Sequence, residues 1–151
     1  MRRRGATAVL AMSSYPQQYV DECRARIDAQ VEAYRAVVAA GGAGAPFKAA
    51  ADAFEPVFFN NLLLALESHF VHRLRAKEAK DGNPLNEVRV LSSSLVSAGG
   101  VFTADKTIKM NPEHTVLKYR VGDVIAVREA DFVALAKAYF AELELKYRES
   151  A

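Results

Sequence analysis

The chain has 151 residues, 51% of them hydrophobic and 25% charged, which excludes a disordered or fibrous polymer and suits one domain around one core. Lys plus Arg number 20 against 18 Asp plus Glu, a net charge of +2 that is too small to make the whole surface attract nucleic acid, so any basic face must be local. The single cysteine, Cys23, excludes an internal disulfide and fits a reducing cytosol.

The opening stretch, MRRRGATAVLAMSS, joins a basic cluster to an apolar run far too short to span a bilayer. It reads as a disordered tail over residues 1–13, ahead of a single helical domain over 14–151. Folded patterning starts only after Met12, which makes Met12 the expected natural start. From Pro16 to Ala40, Val20, Cys23, Ile27, Val31, Tyr34 and Val38 recur at spacings of three and four, the mark of one buried helical face. Ser14 is placed to cap this helix, Pro16 suits its first turn, and GGAG at 41–44 ends it.

A second helical segment runs from Phe47 to about Lys80, with Pro56 either dividing or kinking it. Phe58, Phe59, Leu62, Leu63, Leu66, Phe70 and Leu74 fill an arc of about 160°, which marks a central helix. Val57, Leu64 and Val71 lie on its far side, so contacts on two faces, and with them a homodimer, are expected. Asn83 and Pro84 then restart the chain as N-cap and first residue of a third helix, which carries Leu85, Val88, Leu91 and Leu95 and closes at AGG, 98–100.

Between 101 and 128 the helical period is lost, and TVLKYR and DVIAVR flank a Gly122-Asp123 turn, the pattern of a β-hairpin. Phe132, Leu135, Tyr139, Phe140, Leu143 and Tyr147 return to helical spacing in a fourth helix from Ala130 to Tyr147. The predicted fold is a mainly α bundle of four principal helices, the second at its centre, with a β-hairpin inserted between the third and fourth.

Chemistry has few places to sit. LESHFVHRLR, 66–75, sets His69 and His72 three residues apart, and a metal site there needs further ligands, with His114 the remaining histidine. Glu67 points about 160° away from His69 on the helical wheel and cannot easily share an ion with it. His72, Arg73, Arg75 and Lys77 form a cationic helix end that complements the helix dipole and can hold a phosphate, the more so if Arg89, Lys106 or Lys109 converges on it. Asn61 shares a polar stripe with His72. The serines at 92–94 lack the adjacent base and the elbow of a nucleophile, and no Gly-rich loop runs from a strand into a helix. No cofactor is called for.

The segments FFNNLLLALESHFVHRLR, LNEVRVLSSSLVSAGGVFTADKTIK and YRVGDVIAVREADFVALAKAYFAELE resemble in layout the HEPN superfamily, helical-bundle proteins that include metal-independent ribonucleases. The likeness covers about Phe54 to Tyr147. It implies a ribonuclease whose Arg and His meet across a dimer, but the family's Arg-Asn pair falls here on Ser92 and Ser93 and its His on Ser97. Serine is neither a base near neutral pH nor a phosphate-holding cation. Arg89 lies one turn earlier without a His at the required spacing.

Three functions are therefore expected in order. First is a cytoplasmic, homodimeric, non-catalytic HEPN-like module binding RNA or a protein through Asn61, His72, Arg73, Arg75 and Arg89. Second is a divergent ribonuclease using His69 or His72 with a nearby Arg such as Arg89. Third is a metal-binding bundle built on His69, His72 and an acidic residue, with His114 a further candidate ligand.

Overall fold

A computed structural model describes residues 10–150, so the part of the expected tail that precedes Leu10 lies outside the described residues. The elements are α1 (Gln17–Ala40), α2 (Ala45–His69), α3 (Arg75–Glu78), α4 (Pro84–Ser97) and α5 (Glu129–Tyr147). The fold is mainly α. α2 packs against α1, α4 and α5, and α4 packs against α5. No described helix is long and apolar enough to cross a membrane.

α1 buries Val20, Cys23, Ile27, Val31 and Tyr34 as its spacing requires, while Val38, expected on the same face, is exposed near the helix end. The cap expected from Ser14 is absent: Pro16 is the N-cap and contributes no side-chain hydrogen bond. Residues 12–15, next to the expected tail boundary, are tied down. Met12 N–H donates to the His72 carbonyl at 2.8 Å, Leu74 N–H returns to the Met12 carbonyl at 2.8 Å, and Tyr15 N–H reaches the Tyr147 carbonyl at 2.8 Å.

Pro56 neither divides nor ends α2. A proline cannot donate to the carbonyl four residues back, and here Arg128 takes over that duty: its Nη1 donates to the Asp52 carbonyl at 2.8 Å and to Glu55 Oε1 at 3.1 Å. The helix does end early, at His69 rather than near Lys80. Beyond it the His72 carbonyl and the Leu74 N–H pair with Met12, while Arg73 N–H keeps a bond to the Phe70 carbonyl at 3.1 Å and its side chain lies inward.

α4 begins as expected, with Asn83 Oδ1 accepting from the N–H groups of Leu85 (2.9 Å) and Asn86 (3.2 Å). α5 buries all six of its predicted apolar positions.

The β-hairpin between them is not formed. Among the described residues the only β-bridge within 101–128 is Val101 to Val124. Around it Phe102 N–H donates to the Asp123 carbonyl at 2.8 Å and Gly122 N–H to the Phe102 carbonyl at 2.9 Å, so 122–125 lie against 100–102 and not against TVLKYR. Side chains satisfy the backbone in place of a ladder. Glu87 accepts from the N–H groups of Val116 and Leu117, both at 2.8 Å, and the Tyr119 hydroxyl accepts from Ala126 N–H at 3.0 Å. Asn60 donates to the Ile125 carbonyl at 3.1 Å and accepts from Val127 N–H at 2.9 Å. With Val116, Leu117 and Val127 bound by side chains of α4 and α2, and Ile125 N–H by the Gly100 carbonyl, TVLKYR and DVIAVR do not pair with each other.

Candidate anion pocket

Arg73, expected on an exposed cationic helix end, is 1% exposed and sits at the centre of a buried polar cluster. Its Nε donates to Glu78 Oε1 at 2.7 Å, and Nη1 donates to Glu67 Oε1 at 2.9 Å and to the Phe70 carbonyl at 3.0 Å. Nη2 donates to the Leu85 carbonyl at 3.2 Å. Desolvation makes a buried guanidinium costly unless its donors are matched; here every nitrogen has an acceptor.

The two carboxylates around Arg73 are not equivalent. Glu67 has only that one partner, and its Oε2 finds no donor among the described residues. Burial pushes its carboxyl up, and the Arg73 charge does not offset it. Glu78 is also buried, which by itself would raise it, but the hydrogen bond from Arg89 and the charges of Arg73 and Arg89 outweigh burial and hold it low. It takes Arg89 Nε at 3.0 Å and Arg89 Nη2 at 2.6 Å, with Asn86 Nδ2 on Oε2 at 2.7 Å.

Arg89 carries this cluster to the surface. Glu78 grips its Nε edge, while Nη1 has no partner among the described residues. There Arg89 lines an open cavity of about 550 Å³ with Arg75 and Lys106. On α4, Arg89, Ser93 and Ser97 follow one another at four-residue spacing, one stripe of the helix, and all three line the cavity. Thr103 and Asp105 complete the far wall. Asp105 is held low by hydrogen bonds from the hydroxyl (2.7 Å) and N–H (2.8 Å) of Thr107. Arg75 and Lys106 form no salt bridge among the described residues, so two unpaired cations, beside Arg89 on Glu78, face the one lining carboxylate, Asp105. Cations and hydroxyl donors around a ligand-sized opening suit an oxyanion with hydroxyl neighbours.

The other candidate residues are dispersed. Asn61 is exposed and donates to the Val57 carbonyl of its own helix at 2.7 Å. His69 and His72 line a separate cavity of about 280 Å³ with Met12, Tyr15, Pro16 and Tyr19. Burial, with a smaller contribution from Arg26, lowers His69 and favours its neutral form. His114 lies in an exposed turn, its N–H on the Asn111 carbonyl. Among the described residues no three His, Cys, Asp or Glu side chains gather to hold a metal, so His69, His72 and His114 do not form the expected ligand set. No histidine lines the cationic cavity.

Of the residues sequence reasoning favoured for phosphate, Arg75 and Arg89 meet, joined by Lys106; Lys109 does not line the cavity. Ser97, Thr103 and Glu78 were missed. The Arg89, Ser93, Ser97 spacing was a usable signal; nothing in the local pattern around Glu78 announced a partner for two arginines.

The fold and the pocket together define a mainly α-helical protein with a cationic, hydroxyl-lined cavity on its third long helix. Comparison with protein-family models, curated proteins and solved structures finds no match.

Proposed function

We propose that this protein is a non-catalytic, HEPN-like binding module of the cytoplasm that acts as a homodimer and holds RNA by its phosphates in the Arg75, Arg89 and Lys106 cavity. The convergence of those three cations carries the reading. Binding rather than cleavage is favoured because no histidine shares the cavity, and transfer of a 2′-hydroxyl proton needs a base within reach. The walls hold no aromatic side chain, so bases have no platform on which to stack, and recognition follows the sugar-phosphate backbone without sequence preference.

Anisotropy of labelled single-stranded RNA tests this. Three phosphate contacts give a salt slope near 2, so affinity should fall about 20-fold between 50 and 200 mM salt, equally for poly-U and poly-A. Arg75→Ala with Lys106→Ala removes two exposed cations from outside the core and should cut the slope by about 1.4. The RNA should remain full length. Failure to bind at low salt, or binding indifferent to the double variant, overturns the proposal. Cleavage abolished by His69→Ala with His72→Ala would replace it by the ribonuclease reading, and competition by inorganic phosphate alone would reassign the cavity to a small anion.

A further inference from the structure

The face of α2 turned away from the core has a pattern that solvent does not require. α2 has 25 residues, about 37 Å of helix. Ala50, Phe54, Val57, Asn61, Leu64 and Ser68 follow at spacings of four and three along it, an arc of about 80°. Phe54 is 49% and Val57 55% exposed, and of the other four only Leu64 is partly covered. The charged residues of the helix lie elsewhere: Asp52 and Glu55 are taken by Arg128, Glu67 is buried on Arg73, and Lys48 falls outside the arc. A solvated helix face normally carries the charges, and this one carries none.

The spacing is that of a heptad seam, with Phe54, Asn61 and Ser68 in one set of core positions and Ala50, Val57 and Leu64 in the other. A single Asn among apolar seam residues is the feature that fixes pairing with an identical helix, because two such amides satisfy each other while an apolar partner would leave both unmet. Asn61 is equipped for it. One amide hydrogen goes to the Val57 carbonyl at 2.7 Å, and Oδ1 has no partner among the described residues. The face is neutral from end to end, so it offers an acidic or basic partner nothing to complement and is complementary to itself.

From this geometry we infer that α2 is the homodimer interface: two copies pack seam to seam with Asn61 beside its own counterpart near the two-fold axis. The inference takes only the stoichiometry from the proposed function and needs no ligand.

Sedimentation equilibrium without RNA decides it. The native protein should form a species of twice the 16.5 kDa chain mass at micromolar concentration. Val57→Glu places two like charges across the axis and should weaken the dimer by at least about 100-fold, while Leu145→Glu, at a 78% exposed position on α5, should leave it unchanged. Asn61→Cys keeps the test open should Val57→Glu misfold: mild oxidation should give a covalent dimer, whereas native Cys23, fully buried, should give none. A native protein that stays monomeric to about 100 µM assigns the face to another partner and overturns the inference. So does a dimer that survives Val57→Glu, or an Asn61→Cys protein that does not cross-link. A monomer would also remove the homodimer from the proposed function, but none of these results bears on the RNA affinity of Arg75 and Lys106 variants, so RNA binding stands or falls on its own test.

Discussion

Glu67 and Glu78 touch the same buried arginine, yet replacing each by glutamine should have very different effects. In Glu78→Gln the carboxylate that balances Arg73 and Arg89 is lost. Hydrogen bonds from Arg73 Nε at 2.7 Å and Arg89 Nη2 at 2.6 Å then lose their ionic acceptor, and the cluster of two arginines and two glutamates gains a net positive charge where Arg73 and Glu78 side chains are fully buried. An uncompensated buried charge costs about 3–5 kcal/mol, a third or more of the stability of an ordinary domain. Glu67→Gln removes a carboxylate that accepts one bond, leaves one oxygen unmatched and is already pushed toward its neutral form by burial. A glutamine carbonyl can take the same 2.9 Å bond from Arg73, so the loss should stay below about 1 kcal/mol.

The pH dependence separates the two as well. Glu67 is raised in the fold, so its stability contribution is complete below the unfolded carboxyl range and is lost as pH rises through its folded value; Glu67→Gln should gain on the native protein as pH increases. Glu78 is lowered, so its contribution is present above the unfolded value of 4.5 and is lost as pH falls through the folded one; Glu78→Gln should cost least in acid. Urea denaturation followed by circular dichroism between pH 4 and 8 measures both. Equal losses at pH 7, or a larger loss for Glu67→Gln, would refute the assignment of Glu78 as the counter-ion and Glu67 as the strained member.

Two further substitutions probe the segment before α5 and the turn after α3. Asn60→Ala should cost about 1–3 kcal/mol by freeing both groups it binds at Ile125 and Val127, and amide exchange there should accelerate while that of α4 is unchanged. Ala79 holds φ +64° and ψ −178°, a region reserved for glycine, so Ala79→Gly should stabilise by about 1 kcal/mol and raise Tm by roughly 2–4 °C.

The four long helices were legible because each carries its own periodicity and punctuation, as at Asn83-Pro84 and the glycines after Ala40. What was not legible depended on partners remote in sequence. Pro56 signals a break by local rules, and Arg128, remote in sequence but adjacent in the fold, removes the reason for one. TVLKYR and DVIAVR have the composition of strands, but the carboxylate of Glu87 and the amide of Asn60 claim their backbone groups first. Arg73 was misplaced because α2 ends at His69, and the turn at 70–74 that carries it inward is held by backbone bonds to Met12, remote in sequence. At the pocket, the α4 stripe from Arg89 to Ser97 could be read from spacing. The approach of Arg75 and Lys106 could not, since the turn at 70–74 and the loop after α4 set it.

The fully buried thiol of Cys23, on the inner face of α1 and pushed up by burial, makes the protein its own timekeeper. A thiol in that state reacts with an alkylating reagent only while α1 is lifted from the bundle. With one cysteine in the chain, the labelling rate of the unmodified protein reports how often that opening occurs. At high reagent concentration it becomes the opening rate itself, and at low concentration the opening equilibrium.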